Sequence, residues 1–125
     1  MPFAECRKYP RIEKPVPCRV SVGPSDFQTQ TKNLSCGGAL CQLTQPLALM
    51  TKLDIAIDLP ALKPRASRKW IRCRGVVIRQ EPSTVVQGSP SYLTAIYFSE
   101  LRPEDRRSIA EFVLQCMLSH GHRRP

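Results

Sequence analysis

The sequence contains few of the residue combinations on which catalytic and metal sites depend. It has two histidines, His120 and His122, in a predicted tail, and its six cysteines are scattered without a Cys-x-x-Cys pair. With no histidine at ligand spacing from a pair of cysteines, the pattern predicts no metal centre. It also places no serine, cysteine or carboxylate pair near a general base that could activate it, so we expect a protein that is not an enzyme.

Long apolar runs are missing as well. Every apolar stretch is shorter than the roughly 20 residues that a membrane-spanning helix requires. The N-terminus lacks the basic start and following apolar run of a secretory signal. We therefore expect no membrane span and a cytoplasmic location. In that reducing compartment the cysteines are expected to be free thiols, mostly buried as small hydrophobic side chains, rather than disulfides.

What the sequence has in excess is positive charge. Its 19 Lys and Arg residues outnumber its 10 Asp and Glu residues, which gives a net charge of +9. A surface of this kind attracts nucleic acid, nucleotides or an anionic membrane face. Arginine is more frequent than lysine, and its planar guanidinium suits bidentate recognition of phosphate or guanine. Charge alone does not choose among these ligands.

The 125 residues fit one domain, and their hydrophobic pattern predicts short strands followed by one helix. The predicted strands are residues 15–22, 28–34, 39–43, 52–59, 70–80 and 92–98. The strand over 52–59 is the clearest, because its apolar residues alternate with polar or small ones. Consecutive strands joined by short turns favour an antiparallel barrel or sandwich over a parallel sheet.

The two ends of the chain differ from the middle. Residues 1–15 are polar and interrupted by prolines, which predicts a flexible arm. Pro103 suits the first position of a helix. The apolar face of that helix is predicted from Ile109, Phe112, Val113, Cys116 and Met117. We therefore expect an arm over 1–15, a barrel with its C-terminal helix over 16–118, and a disordered tail over 119–125.

The arm carries the first candidate binding motif, Arg7 and Arg11 with Pro10 between them. Proline disfavours the helical conformation at Tyr9, so the segment should be extended. In an extended segment the two arginines point the same way, about 13 Å apart. Each guanidinium can form a bidentate contact with phosphate or with the O6 and N7 edge of guanine. On its own, Arg-x-x-x-Arg is a weak signal in a chain this rich in arginine.

The second candidate motif follows the predicted strand 28–34. Asn33 and Ser35 are two residues apart, which predicts that both side chains project from one face. Gly37 and Gly38 then allow positive φ and a close approach of a ligand to the backbone. The Asn33 amide can accept a hydrogen bond from guanine, and the Ser35 hydroxyl can donate or accept one. The same residues are also typical of an ordinary tight turn.

Taken in order, Arg-x-x-x-Arg followed by Asn-x-Ser-x-x-Gly resembles the signature of the PilZ family. Residues 31–39, 75–79 and 94–98 and the helix from Pro103 are also similar to PilZ segments, so that the resemblance covers roughly 7–118. It implies a mainly β fold, a six-stranded antiparallel β-barrel with a C-terminal α-helix. It also implies a receptor for cyclic di-GMP that uses no other cofactor.

The resemblance assigns the ligand-binding residues by position. They are Arg7, Arg11, Asn33, Ser35 and Gly38, with Arg79 as a further cation. The two arginines of the arm would bind guanine and phosphate, and the residues of the turn would hold the other side of the ligand. Asn33 stands where the family often has aspartate. A neutral amide makes a weaker contact with guanine than a carboxylate does.

The implied function is that of an adaptor. Cyclic di-GMP would order the arm against the barrel, and the changed surface would regulate a partner protein in motility, adhesion or exopolysaccharide production. One alternative is a PilZ-like interaction module that binds no nucleotide. Another is a small basic β-barrel that binds nucleic acid through residues 63–79, with Trp70 as a stacking platform.

Overall fold

The computed structural model describes residues 9–60, 68–83 and 88–123. In this part of the chain the strands are β1 (Pro17–Val22), β2 (Ser25–Leu34), β3 (Gly38–Leu43), β4 (Lys52–Leu59), β5 (Lys69–Pro82) and β6 (Tyr92–Glu100). They are followed by one helix, α1 (Pro103–Arg123). Each predicted strand is present, and β4 has the predicted bounds.

The six strands form a closed barrel in the order β1-β2-β3-β6-β5-β4. Every pair of neighbours is antiparallel, including β1 with β4, whose pairing closes the ring. Closure leaves no free strand edge, so backbone groups of the sheet are satisfied within the barrel. The predicted six-stranded antiparallel barrel with a C-terminal helix is confirmed.

Alternation along the strands places apolar side chains inside the barrel. In β4, Leu53, Ile55, Ile57 and Leu59 are 4%, 1%, 0% and 5% exposed, whereas the residues between them face outward. Successive side chains along a strand point to opposite faces of the sheet, which is why this strand could be predicted from its alternating pattern. The other strands contribute further apolar side chains to this core, among them Ile96 and Phe98 of β6.

The turn between β1 and β2 is tighter than predicted. Val22 pairs with Ser25 directly across Gly23 and Pro24, so β2 begins at Ser25 rather than at residue 28. Gly23 has a φ of 56°, the left-handed conformation that two-residue hairpins require. Glycine adopts this conformation without the steric cost of a side chain.

A register shift in β2 sets the orientation of its last residues. Thr31 pairs with Cys41, but Asn33 pairs with Leu40, so Lys32 is an extra residue on this strand. Thr31 points inward, where its hydroxyl accepts a hydrogen bond from the Val16 N–H (3.0 Å) and donates one to the Lys14 carbonyl (3.0 Å). Beyond the shift, Asn33 is only partly buried.

The helix α1 covers the barrel with one apolar face. Ile109, Phe112, Val113 and Cys116 are buried, as predicted. Met117, predicted on the same face, is 44% exposed, because it follows Cys116 by one position and is rotated away from the barrel. The helix also continues to Arg123, past residue 118, where the tail was predicted to begin. No proline interrupts the sequence between Pro103 and Pro125.

The cysteines of the described residues are free and buried, as predicted. They are Cys18, Cys36, Cys41, Cys73 and Cys116, while Cys6 lies outside the described residues. Burial raises the pKa of Cys73 to about 12, so this thiol is neutral at physiological pH. Among residues 9–60, 68–83 and 88–123, no helix combines the length and apolar character needed to cross a membrane.

Candidate functional site

A shallow groove lies where the β2–β3 turn meets β5 and β6. It has a volume of about 40 Å³. Its lining includes four residues that the sequence predicted as ligand-binding: Arg11, Asn33, Gly38 and Arg79. The remaining lining residues are small or apolar apart from one tyrosine: Gly37, Ala39, Leu40, Ile78, Ala95, Ile96 and Tyr97. We refer to this feature as the β3–β6 groove. No acidic side chain lines its described part.

The chain before β1 is held against the end of β2. Ile12 forms a bridge with Leu34, in which the Ile12 N–H donates to the Leu34 carbonyl (3.1 Å) and the Leu34 N–H donates to the Ile12 carbonyl (3.0 Å). Ile12 is 8% exposed and Val16 is fully buried. This differs from the flexible arm predicted over 1–15, because Ile12 within the arm, and Val16 directly after it, attach the chain to the core. Arg11 is exposed beside the bridge, and Arg7 lies outside the described residues.

Asn33 reaches the groove because of the register shift in β2. Its side chain makes no hydrogen bond with another described residue. A side-chain amide supplies one acceptor oxygen and two N–H donors. Asn33 therefore presents unused donors and an unused acceptor beside the arginines of the groove.

Ser35 is placed differently from Asn33. The predicted common face is wrong, because β2 ends at Leu34 and Ser35 begins the turn, where it is 1% exposed. The Ser35 N–H donates to the Gly38 carbonyl (2.9 Å), and the Ser35 hydroxyl accepts from the Gly37 N–H (3.1 Å). The side chain thus stabilises the turn from inside, as a serine in an ordinary tight turn does.

Gly38 is required by a close approach of two strands. A Cβ atom at this position would collide with the carbonyl oxygen of Ile96 on β6. The positive-φ glycines of the described residues are Gly23 and Gly88, so Gly37 and Gly38 do not use the positive φ that glycine allows. The missing side chain thus makes room for the backbone of β6, and Gly38 contributes backbone atoms to the lining of the groove.

A residue that the sequence did not reveal holds the turn against α1. The Arg106 guanidinium donates a hydrogen bond to the Cys36 carbonyl (3.0 Å) and lies 6.0 Å from the centroid of the Tyr9 ring. A guanidinium at this distance from an aromatic ring is attracted by its π electrons. Arg106 therefore links α1, the turn and the chain that leads to Arg11. Nothing in the sequence around Arg106, in the first turns of α1, predicts this contact.

The Cys36 thiol inside the turn is not a nucleophile poised for reaction. Burial raises its pKa, and the nearby Arg106 charge opposes that rise only in part. Because the thiolate is the reactive form, a raised pKa keeps the sulfur protonated and inert near neutral pH. Cys36 thus has a structural role in the turn and not a chemical one.

Arg79 lines the far side of the groove from β5. Its side chain is 65% exposed and lies 3.8 Å from the Glu81 carboxylate. Exposed pairs of this kind contribute about 0–1 kcal/mol, so an anionic ligand can compete for the guanidinium. With Arg11, it gives the groove two cations. The described residues contain no group of three or more His, Cys, Asp or Glu side chains arranged to hold a metal ion.

Comparison with known proteins identifies the family of the chain. The family model of the PilZ domain matches residues 5–115. A search of curated proteins found no significant match.

Solved structures resemble the fold. MotI/DgrA, an inhibitor of motility from Bacillus subtilis, is 20% identical with a TM-score of 0.76, and the match covers 94% of this chain and 53% of that one. Apo MrkH of K. pneumonia is 19% identical with a TM-score of 0.75, covering 93% and 52%. The PilZ domain of Escherichia coli YcgR, solved with c-di-GMP, is 17% identical with a TM-score of 0.70, covering 94% and 95%. This chain spans about half the length of the first two proteins.

Proposed function

We propose a function that proceeds from one premise: the chain belongs to the PilZ domain family. We propose that it is a receptor for cyclic di-GMP and that the bound dinucleotide regulates a partner protein. The observation that carries this proposal is the β3–β6 groove, where Arg11, Asn33, Gly38 and Arg79 meet from separate parts of the chain. The YcgR PilZ domain was solved with the same ligand, which supports the choice of nucleotide.

The chemistry of the groove matches a cyclic dinucleotide. Arg11 and Arg79 offer charge-assisted, bidentate contacts to phosphate oxygens or to the O6 and N7 atoms of guanine. The Asn33 carbonyl oxygen accepts from a guanine N–H. Gly38 lines the groove and offers backbone groups, not a side chain, to a base or a sugar.

Ser35 has a positioning role in this proposal. Its hydroxyl and its backbone N–H hold the turn between Asn33 and Gly38. The geometry of the turn determines how far apart the Asn33 amide and the Gly38 backbone lie. Ser35 thus acts on the ligand through its neighbours, and Arg106 supports the same turn from α1 through Cys36.

The groove as described forms one wall of the site. Its volume of about 40 Å³ holds little more than a water molecule, far less than a dinucleotide. We propose that the segment with Arg7 supplies the opposite wall when the ligand is bound. A ligand with a higher affinity for the closed arrangement shifts the population toward it, and the surface offered to a partner changes accordingly.

We also propose that the protein acts as a binding protein in the cytoplasm and not as an enzyme. The partner belongs to motility, adhesion or exopolysaccharide production, or to transcription. A PilZ-like module without nucleotide and a nucleic-acid-binding barrel are the competing functions, and the titration below separates them. The first predicts no heat with any nucleotide. The second predicts binding to oligonucleotides that weakens steeply with salt.

The test is isothermal titration calorimetry with cyclic di-GMP, and with cyclic di-AMP and GTP as controls for the base and for the cyclic backbone. Saturable binding of cyclic di-GMP alone is expected. Arg7→Ala and Arg11→Ala should each remove it, while Arg107→Ala, an exposed arginine outside the β3–β6 groove, should leave it unchanged. Undiminished binding in both arm variants would overturn the assignment.

A further inference from the structure

The single tryptophan of the chain is exposed on a regular strand. Trp70 lies near the start of β5, opposite Asp58 of β4, and is 53% exposed. It points outward, because its neighbour Ile71 is fully buried in the core. Leaving an indole in water forgoes the burial of a large apolar surface. Tryptophan and arginine are the residues most enriched among those that dominate protein–protein binding energy.

Strand register aligns two arginines beside this tryptophan. Arg19 of β1 pairs with Ala56 of β4, and Ala56 pairs with Arg72 of β5. The three outward-facing side chains form a row across three neighbouring strands, with Trp70 two residues from Arg72 on the same face. The small alanine between two long side chains leaves a depression. We refer to Arg19, Ala56, Trp70 and Arg72 as the Trp70 face.

The depression is large compared with the β3–β6 groove. All four residues of the Trp70 face line a cavity of about 870 Å³. A second cavity of about 630 Å³ shares Arg19 and Trp70. The indole therefore stands between two open volumes, accessible from both.

The arginines of the Trp70 face are available to a partner. Arg72 has no ion-pair partner among the described residues. Arg19 lies 4.0 Å from Asp26, the outer limit of an ion pair, and both side chains are at least half exposed. Surface pairs at such distances contribute little, so a better placed carboxylate can displace Asp26.

Charge on the surrounding surface favours a protein over nucleic acid. Asp54 and Glu100 line the same cavity as Arg72 and lie 3.9 and 3.6 Å from Arg74, which they neutralise. The cations left for a ligand are therefore separate groups and do not form the continuous positive track that a phosphate backbone binds. Binding of single-stranded nucleic acid also relies on several stacked aromatic side chains, and this face has one. A surface with charges of both signs selects a partner by matching individual charges.

We propose that the Trp70 face is a docking surface for an acidic segment of a partner protein. An apolar side chain of that segment packs on the Trp70 indole, and its carboxylates pair with Arg19 and Arg72. The barrel is closed, so the segment cannot add a strand to the sheet and is held through side chains.

The inference rests on the proposed adaptor role, since it names the surface and the chemistry of the partner. In the ring of strands, β1 and β4 lie across the barrel from β6 and β3, which line the β3–β6 groove. A partner on the Trp70 face therefore leaves the groove open, and both ligands can be bound at the same time.

The test uses Trp70 as its own reporter. Intrinsic fluorescence is followed while the nucleotide-free protein is titrated with a synthetic peptide that alternates glutamate with leucine. A saturable change is expected. The same peptide with glutamine for glutamate, and an oligothymidylate of similar length, should each bind more weakly. The first control tests the need for carboxylates, and the second tests for nucleic acid.

Variants identify the surface. Arg72→Ala should weaken peptide binding about tenfold, the size expected for an interface hot spot. Arg107→Ala removes an equal charge on α1 and should leave binding unchanged. Trp70→Ala, followed by calorimetry because the fluorophore is gone, should also weaken binding. Circular dichroism spectra and thermal melts confirm that each variant is folded.

Three results would overturn the inference. They are the absence of a saturable response to the acidic peptide, equal affinity of Arg72→Ala and the original protein, or tighter binding of oligothymidylate than of the peptide. All of these measurements are made without cyclic di-GMP. A failure here therefore leaves the proposed cyclic di-GMP site standing, and a failed cyclic di-GMP titration leaves this result interpretable.

Discussion

The β3–β6 groove and the Trp70 face lie on opposite sides of one barrel and are built in opposite ways. The groove depends on an irregular backbone: a register shift at Lys32, a tight turn at Ser35 and a close strand contact at Gly38. The Trp70 face depends on long side chains that project from regular strands.

Under the two proposals, one small fold holds two kinds of site. Backbone irregularity holds donors and acceptors in fixed positions, which suits a small ligand of fixed geometry. Flexible arginines around an indole suit a peptide whose charges and apolar side chains can adjust. Because the two sites share only β5, changes in one should leave the other intact.

The largest expected effect tests that independence. Arg11→Ala should remove measurable cyclic di-GMP binding, a loss of about 100-fold, since hydrogen bonds to charged groups contribute roughly 1.5–3 kcal/mol. It should leave the fluorescence titration with the acidic peptide unchanged. Arg72→Ala should give the reverse result in the same two assays. If either variant lost both cyclic di-GMP binding and peptide binding, the separation of the two sites would be contradicted.

Substitution of Gly38 tests whether the β3–β6 groove depends on the close contact between the two strands. In Gly38→Ala the new methyl group meets the Ile96 carbonyl, and overpacking of this kind costs about 1–3 kcal/mol of unfolding free energy. Chemical denaturation measures this loss, and cyclic di-GMP binding should fall with it. Gly23→Ala is the matched control: apart from its chain neighbours, no residue lies within 4 Å of its Cβ position, so only the left-handed φ is penalised, by about 1 kcal/mol. Equal stability of Gly38→Ala and the original protein would contradict the close contact.

Substitution of Asn33 should increase the affinity of the groove for cyclic di-GMP. Asn33→Asp introduces a carboxylate that accepts from guanine N–H groups, and charge-assisted hydrogen bonds are roughly twice as strong as neutral ones. We expect cyclic di-GMP to bind about fivefold to tenfold more tightly, as measured by calorimetry, with no change at the Trp70 face. Weaker binding would show that the amide N–H donors of Asn33, and not its carbonyl oxygen, face the ligand.

Ser35 should give the smallest effect. Ser35→Ala removes the hydroxyl that accepts from the Gly37 N–H and leaves the backbone bond to Gly38 in place. A neutral hydrogen bond contributes about 1 kcal/mol, so stability and nucleotide affinity should each fall modestly. Ser35→Thr keeps the hydroxyl and should restore the turn if the buried site accepts the extra methyl group. A complete loss of binding in Ser35→Ala, with normal stability, would show that Ser35 contacts the ligand directly.

Much of the fold was predictable because its signals are local. Alternation in β4 and helical spacing from Ile109 to Cys116 follow from the geometry of strands and helices. The predictions were less accurate at the boundaries. A two-residue hairpin at Gly23 lengthened β2, and the helix continued past residue 118.

For the candidate site, the sequence indicated residues that the structure brings together but not their geometry, and their role in binding stays a prediction. The order of the motifs identified Arg11, Asn33 and Gly38, and the structure brings them to one groove together with Arg79. Ser35 turned inward because the register shift and the end of β2 break the simple alternation on which the prediction relied. Arg106 was missed because its contact with Cys36 joins residues far apart in sequence.

By itself, the sequence determined the strands, the helix, the positive charge and the two motifs, since each depends on neighbouring residues or on composition. The closed ring of strands decided the rest. Only that closure places Arg19 beside Ala56 and Arg72, and only the contact between β3 and β6 explains Gly38. These relations depend on which strands pair and in which register, and that choice is made by packing across the whole barrel.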